Sequence, residues 1–533
     1  MLFNAVESLY YNLLTSCMAH SFSPQYPSLP TWPARRGRAV LLLVFGLTYS
    51  LISLVNQWNF RTAALDLGFT AQAVADFAHL RAPRVTLLLD TPPTSFLASH
   101  FSLTPALAAP LYYLVGGAWA LLLLQIGAVL LGLLGAWHYA RAQGGSPRAA
   151  NWALALLGCH WGVYSAFSYD YHDNVLGAMA LPWLALWVGQ GRGGRATLAA
   201  LLILVSKENM ALWLACVLLG LAWQHRTYRV RVAWLALAAV GSVFYYQVIT
   251  HYVMPALDTT HRPFMQLVRY SQWGASLPAV LANVLTHPTR LWAALFYNTL
   301  PEDSYDYIKL ETWGAVLVSG GWALWRRPWY VLMLVPILAQ KLLANDYGFW
   351  GINGQYSIEF APVLTLAVVD ELRAQQGGRG SFRRGAWALA LGGVAVFTIV
   401  TLYTRRSQWY DRASGNFLIG SHYRSPYPDC ASLRVALAHV PAGAALSTSS
   451  SLAPHLLARR DLFLFPVLRT ARLVALLREP DEHAAWPLSQ DQAQQAIEVL
   501  RARPGYRVLY EDAQLVLLSR PALVADSAEV WHP

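Results

Sequence analysis

Ionisable residues bordering long apolar runs have the types and spacing in this chain that suit chemistry. Asp66 stands in Ala64-Leu65-Asp66-Leu67-Gly68, just after one such run. A carboxylate beside apolar chain loses hydration, holds its proton more tightly, and can serve as a general base. The same residue could instead cap a helix expected from Thr70 or close a loop ion pair. His100 lies in Ser99-His100-Phe101-Ser102, and His172 lies between Asp170 and Asp173. Histidines set beside carboxylates can shuttle protons, ligate metal or, when charged, hold a phosphate. Either could also be a hydrogen-bonded loop residue.

Lys207-Glu208 is a sharper signal, because lysine occurs only at 207, 309 and 341. Lys207 ends an apolar run, where its point charge suits an anionic headgroup or phosphate. Snorkelling towards the lipid surface is the plainer alternative. Glu208 could be a second working carboxylate or a counter-ion for Lys207. Gln355-Tyr356-Ser357-Ile358-Glu359 opens a later apolar run, and the helix dipole favours Glu359 in its first turn. His455, Arg459 and Arg460 read as surface residues.

The elements that must hold these groups are membrane helices. Only 13% of the 533 residues are charged and 56% are hydrophobic, where a soluble domain is about a quarter charged. The apolar residues come in runs approaching the roughly 20 residues that cross a bilayer as helix. The 22 Trp and 27 Tyr fit interfacial belts as well as packing. The net charge of +11 comes from arginines dispersed between the runs, which form no basic domain, so nucleic acid is excluded as a partner. Membrane lipid is the expected partner. Cys17, Cys159, Cys216 and Cys430 are far apart and show neither a disulfide framework nor zinc spacing. No phosphate-cradling Gly motif follows a strand.

Hydrophobicity places about eleven helices: 39–55, 119–139, 149–167, 175–189, 196–205, 210–223, 232–252, 313–325, 328–343, 358–369 and 385–403. Arginine clusters then fall in every second loop, so the positive-inside rule puts those loops in the cytoplasm of an inner (plasma) membrane protein. Residues 1–38 become a cytoplasmic arm with Pro24, Pro27, Pro30 and Pro33 and no cleavable signal. The transmembrane domain covers 39–404, with a long outer loop at 56–117 and an outer segment at 253–312. A short helix is expected over 70–80, and 105–115 reads as re-entrant, since a full span there would invert every later loop. Residues 405–533 read as a small extracytoplasmic α/β domain, with strands near 444–450, 462–466, 507–511 and 514–519 and a helix over 490–503. The fold class is an all-α polytopic bundle with this α/β appendage.

Asp66-Leu67-Gly68, His100-Phe101-Ser102, Pro110-Leu111-Tyr112, Tyr169-Asp170-Tyr171-His172, Lys207-Glu208-Asn209, Gln355-Tyr356 and Pro454-His455-Leu456 occur in that order. In this the chain resembles a prokaryotic family of predicted polytopic membrane proteins that is similar to the GT-C glycosyltransferases. The resemblance implies sugar transfer from a polyprenyl-phosphate donor at the outer face. It implies Asp66 as catalytic base, with Lys207 and His100 or His172 on the lipid phosphate. Asp170, Asp173, Glu208, Gln355 and Tyr356 are the further substrate-binding candidates. The sequence departs from many such transferases in lacking an acidic pair at Asp66, so a second carboxylate must come from Asp170, Asp173 or Glu208, and a divalent metal is left open. A transporter or flippase would need ionisable residues at mid-membrane, and a non-catalytic envelope assembly protein would need only a degenerate site.

Overall fold

The computed structural model describes residues 32–89, 92–260, 268–374, 380–403 and 412–520. The expected arm, with Pro24, Pro27 and Pro30, lies outside these residues. Pro33 falls instead in the first turn of helix α1 (Trp32–Trp58), where a missing N–H breaks no helical bond.

After α1 the chain forms a π-turn (Ala64–Gly68) and α2 (Phe69–Ala78), then a hairpin of β1 (Arg84–Val85) and β2 (Thr94–Ser95). Residues 104–115 form a 3-10 turn and a seven-residue helix that stops at Gly116 (φ 82°). Seven residues rise about 10 Å, far short of a bilayer. The bundle continues through α3 (Gly117–Ala142), α4 (Pro147–Gly158), α5 (Trp161–Phe167), α6 (Asp173–Gly189), α7 (Gly193–Leu204), α8 (Met210–Gln224) and α9 (Arg229–Val248). Two short helices (Leu277–Thr286 and Pro288–Phe296) precede Ile308–Val318, and the bundle closes with α10 (Pro328–Leu342), α11 (Phe360–Ala374) and α12 (Gly380–Tyr403).

Among the described residues four helices are long and apolar enough to cross a membrane: Arg36–Trp58, Gly117–Ala142, Arg229–Leu257 and Gly385–Tyr403. The other expected spans are shorter or broken. The run 149–167 is two helices, because His160 caps the second through an Nδ1 that accepts from Gly162 N at 3.1 Å. The run 313–325 breaks at Gly320 (φ 126°), which only glycine adopts without strain.

Lipid gives helices no hydrophobic reason to associate, so close approach through small residues matters. At Gly135 of α3 a Cβ would lie 2.9 Å from the Trp183 ring of α6, and at Gly162 of α5 it would strike the Ser357 carbonyl. The second contact sets the 355–359 segment against the bundle. The two ends of the bundle differ. At one end Arg326 and Arg327 pair with Glu371 at 3.3 and 3.1 Å. Beside them Asp370 accepts from Tyr139 and Tyr330 at 2.8 Å and from Gln224 at 2.7 Å. The loops bearing Asp66, His100, Asp170 and Lys207 gather at the other end.

The C-terminal region is a five-stranded sheet of order β4-β3-β5-β7-β6. β3 (Leu446–Thr448) is parallel to β4 (Leu462–Leu464) and β5 (Leu473–Leu477), while β7 (Leu515–Ser519) is antiparallel to β5 and β6 (Arg507–Glu511). Leu473, Ala475 and Leu477 face one core, and Val474 and Leu476 face another beneath the helix Gln490–Ala502. The first core also takes in Phe60, Ala64 and Leu87, so the sheet packs directly on the loop carrying Asp66.

Candidate active site

The site is built outward from one buried amide. Gln125 of α3 is fully buried; its Nε2 donates to the Asp170 carbonyl at 2.7 Å and its Oε1 accepts from His172 N at 2.8 Å. The turn it clamps holds Asp170 at φ 61°, a left-handed conformation that Asp and Asn tolerate better than other side chains. Clamped there, Asp170 Oδ2 accepts from Ala63 N at 2.9 Å, at the entry to the π-turn. At the next residue, the first of the turn, Ala64 N donates to Ser450 Oγ of the C-terminal region at 3.3 Å. Asp66 is therefore presented by a turn whose entry is held by two successive amides, one tied to the bundle and one to the C-terminal region, and such wide turns recur at functional sites.

Asp66 keeps part of its surface open although protein crowds it on every side, as a side chain lining a recess does. Its carboxylate has no hydrogen-bond partner among the described residues. Burial pushes it up to about 6, against the opposing pull of Lys207 and His100. Burial also raises Asp170, to about 8, with the Ala63 N–H lowering it and the charge of Asp66 raising it. The two acids thus form an electrostatic pair, in which a proton kept on Asp170 leaves Asp66 to carry the charge. Of the three acids the sequence offers as a second carboxylate, Asp170 is the one on which the charge of Asp66 acts.

The remaining candidates divide into committed and open groups. Glu208 is committed: it accepts from Phe101 N at 3.1 Å and meets His100 Nδ1 at 3.3 Å. Burial would raise it, but His100 and Lys207 outweigh that and hold it at about 2. Asp173 is committed too, accepting from Thr104 Oγ1 at 2.8 Å and the Tyr171 hydroxyl at 2.9 Å. Glu359 lies one residue before α11 and takes Asn174 Nδ2 at 2.9 Å, while Gln355 offers its carbonyl to the same amide at 3.2 Å. These pairs tie the loops of the recess together.

Lys207 is open. It is part-buried and its ammonium makes no hydrogen bond or ion pair among the described residues. Its charge nevertheless acts on Asp66, His172, Asp173 and Glu208, which sets it among them. His172 is held near 3 by burial and by Lys207, with the Tyr169 backbone opposing them. With that backbone contact made by the other ring nitrogen, the buried Nε2 has no partner among the described residues and is assigned as an acceptor. Tyr356 stacks on Phe349 at 3.9 Å. Burial raises its phenol to about 12, Arg269 lowers it and Asp66 raises it, so Tyr356 borders the acid pair.

Sequence reasoning missed Gln125, Ser450 and Arg269. The first carried a signal: a lone amide within the apolar run 119–139. Among the described residues no three His, Cys, Asp or Glu side chains converge as metal ligands do.

The fold and site define a helical membrane protein with Asp66, Asp170 and Lys207 gathered at one end. Residues 56–517 match a family model described as "Predicted membrane protein (DUF2079)", and the chain belongs to that family. None of the curated proteins matches it in sequence. Among solved structures it is similar to the Archaeoglobus fulgidus oligosaccharyltransferase tethered to an acceptor peptide (11% identity, 86% of this chain, 72% of that one, TM-score 0.39). It is similar also to that enzyme, AglB, with an inhibitory peptide and a dolichol-phosphate (12%, 84%, 70%, 0.34). A third is the arabinofuranosyltransferase AftD from Mycobacteria (14%, 92%, 40%, 0.45), of whose length this chain spans about two fifths.

The acid pair makes a prediction. Asp170 titrates near 8 in the fold and near the ordinary 3.8 when unfolded. Its ionisation therefore costs stability that begins near pH 4, grows as pH rises and levels off near pH 8. Asp170→Asn keeps the acceptor oxygen and tolerates the turn, so its thermal midpoint should gain on wild type progressively from pH 5 to pH 9. A gain that shrinks over that range contradicts the upward shift of Asp170.

Proposed function

We propose that the recess transfers a sugar from a polyprenyl-phosphate donor to an acceptor hydroxyl, on the extracytoplasmic face. The observation that carries this is a carboxylate, Asp66, and a cation, Lys207, near enough for their charges to act on one another and neither partnered through its side chain among the described residues. The order of motifs shared with GT-C-like membrane proteins supports the same reading.

In the step, Asp66 takes the proton of the acceptor hydroxyl as that oxygen bonds to the anomeric carbon. The bond from that carbon to the phosphate oxygen breaks, and its electron pair leaves with the lipid phosphate. Lys207 offsets the charge growing there. The neutral Nε2 of His172 accepts a hydrogen bond from a sugar hydroxyl, and Tyr356 bounds the recess. Asp66 then returns its proton to solvent. A base near pH 6 is better matched to neutral conditions than an ordinary aspartate.

Asp66→Asn in proteoliposomes carrying polyprenyl-phosphate sugar should lower transfer at least 100-fold with an unchanged thermal midpoint. Wild-type turnover in that variant would remove Asp66 from the mechanism. The orientation follows from arginine-bearing loops alternating with recess loops. Leu80, on the recess side, and Trp325, at the arginine end, are both exposed. An impermeant thiol reagent applied to intact cells should label Leu80→Cys and spare Trp325→Cys, in a background lacking the native cysteines. The reverse pattern overturns the orientation.

A further inference from the structure

Arginine is used differently in the segment that follows α12. From Tyr403 to Arg424 the sequence holds four arginines, Arg405, Arg406, Arg412 and Arg424, against one acid, Asp411. Hydrogen bonds fix the described part of this segment to the recess end of α1. Asn56 Nδ2 donates to the Ser414 carbonyl at 2.9 Å, and His422 Nε2 lies 2.8 Å from the Leu51 carbonyl. Leu51 precedes the end of α1 at Trp58 by seven residues, about 10 Å of helix, so the His422 turn lies against the last turns of α1.

An open cleft of about 580 Å³ lies there, lined by Arg412, Ala413, Ile419, Gly420, Ser421 and Arg424. Arg61 shapes it by donating to the carbonyls of His422 at 2.9 Å, Ser421 at 2.8 Å and Arg424 at 2.6 Å. Other arginines on this face have acceptors: Arg81 pairs with Asp76 at 3.1 Å and Arg84 with Asp461 at 3.2 Å. The two cleft guanidiniums have none among the described residues; Arg412 lies 4.9 Å over the Tyr403 ring. Leu418 and Tyr423 are exposed beside them. Below, Val40, Leu43, Leu47 and Leu51 form an exposed apolar stripe along α1, one residue to a turn.

We propose that this cleft binds the phosphate of an anionic membrane lipid, with an acyl chain lying along that α1 stripe. Two cations unmatched among the described residues, an apolar track and a place beside the end of a membrane-length helix together fit a phosphodiester on a lipid better than a free anion. The site is separate from the Asp66 recess and does not depend on the reaction there.

The test uses the detergent-purified full chain, titrated with phosphatidylglycerol, phosphatidylcholine or inorganic phosphate and followed by thermal midpoint. Phosphatidylglycerol should bind more tightly than phosphatidylcholine. The R412Q/R424Q double variant should weaken it about tenfold, while R412K/R424K should retain most of the affinity and show that the fold survives. R192Q/R195Q, at the arginine end, should leave it unchanged. The proposal fails if phosphatidylglycerol binds no better than phosphatidylcholine, if R412Q/R424Q binds like wild type, or if R192Q/R195Q weakens binding equally. Inorganic phosphate that saturates the site and displaces the lipid would make a free anion the ligand and overturn the lipid assignment.

Discussion

The recess depends on the two hydrogen bonds of the Gln125 side chain. A buried amide between helices must satisfy both its donor and its acceptor, and Gln125 does so on the two ends of one turn. That turn carries Asp170 in a left-handed conformation, and Asp170 in turn holds the amide that begins the Asp66 π-turn. Without Gln125 the strained turn would have little to hold it, and the acid pair would come apart. The C-terminal sheet completes the support from the other side through Ser450 and the shared core around Phe60 and Ala64.

Around this frame the ionisable groups divide by whether they are satisfied. Glu208, Asp173 and Glu359 accept from neighbouring loops and fasten the rim. Asp370 and Glu371 do the same at the opposite end. Lys207 has no side-chain partner among the described residues, and of the acids its charge acts on, Glu208 and Asp173 are engaged while Asp66 is open. A lysine with an uncommitted ammonium is a natural complement for an arriving anion. The cleft at Arg412 and Arg424 follows the same logic at the membrane surface.

Much of the arrangement was legible from the residues. Polar motifs between apolar runs brought Asp66, Asp170, His172 and Lys207 to one end, because charge cannot stay in hydrocarbon. The short helix near 70–80 and the non-crossing segment near 105–115 were legible from length and proline. Other features were hidden. The break at His160 is a local capping choice inside an unbroken apolar run. The central strand Leu473–Leu477 is buried on both faces and so shows no alternation to read. The partner of Glu208 was ambiguous in sequence, since adjacency suggested Lys207, whereas the fold delivers His100 from a residue 108 positions away.

The most direct test of the recess is a structure of the protein in lipid nanodiscs with an added polyprenyl phosphate. The account requires phosphate density beside Lys207, with Asp66 and Asp170 lining the same cavity and the lipid tail leading out to the bilayer. Phosphate density found only away from Lys207, with the recess closed between Asp66 and His172, would contradict it.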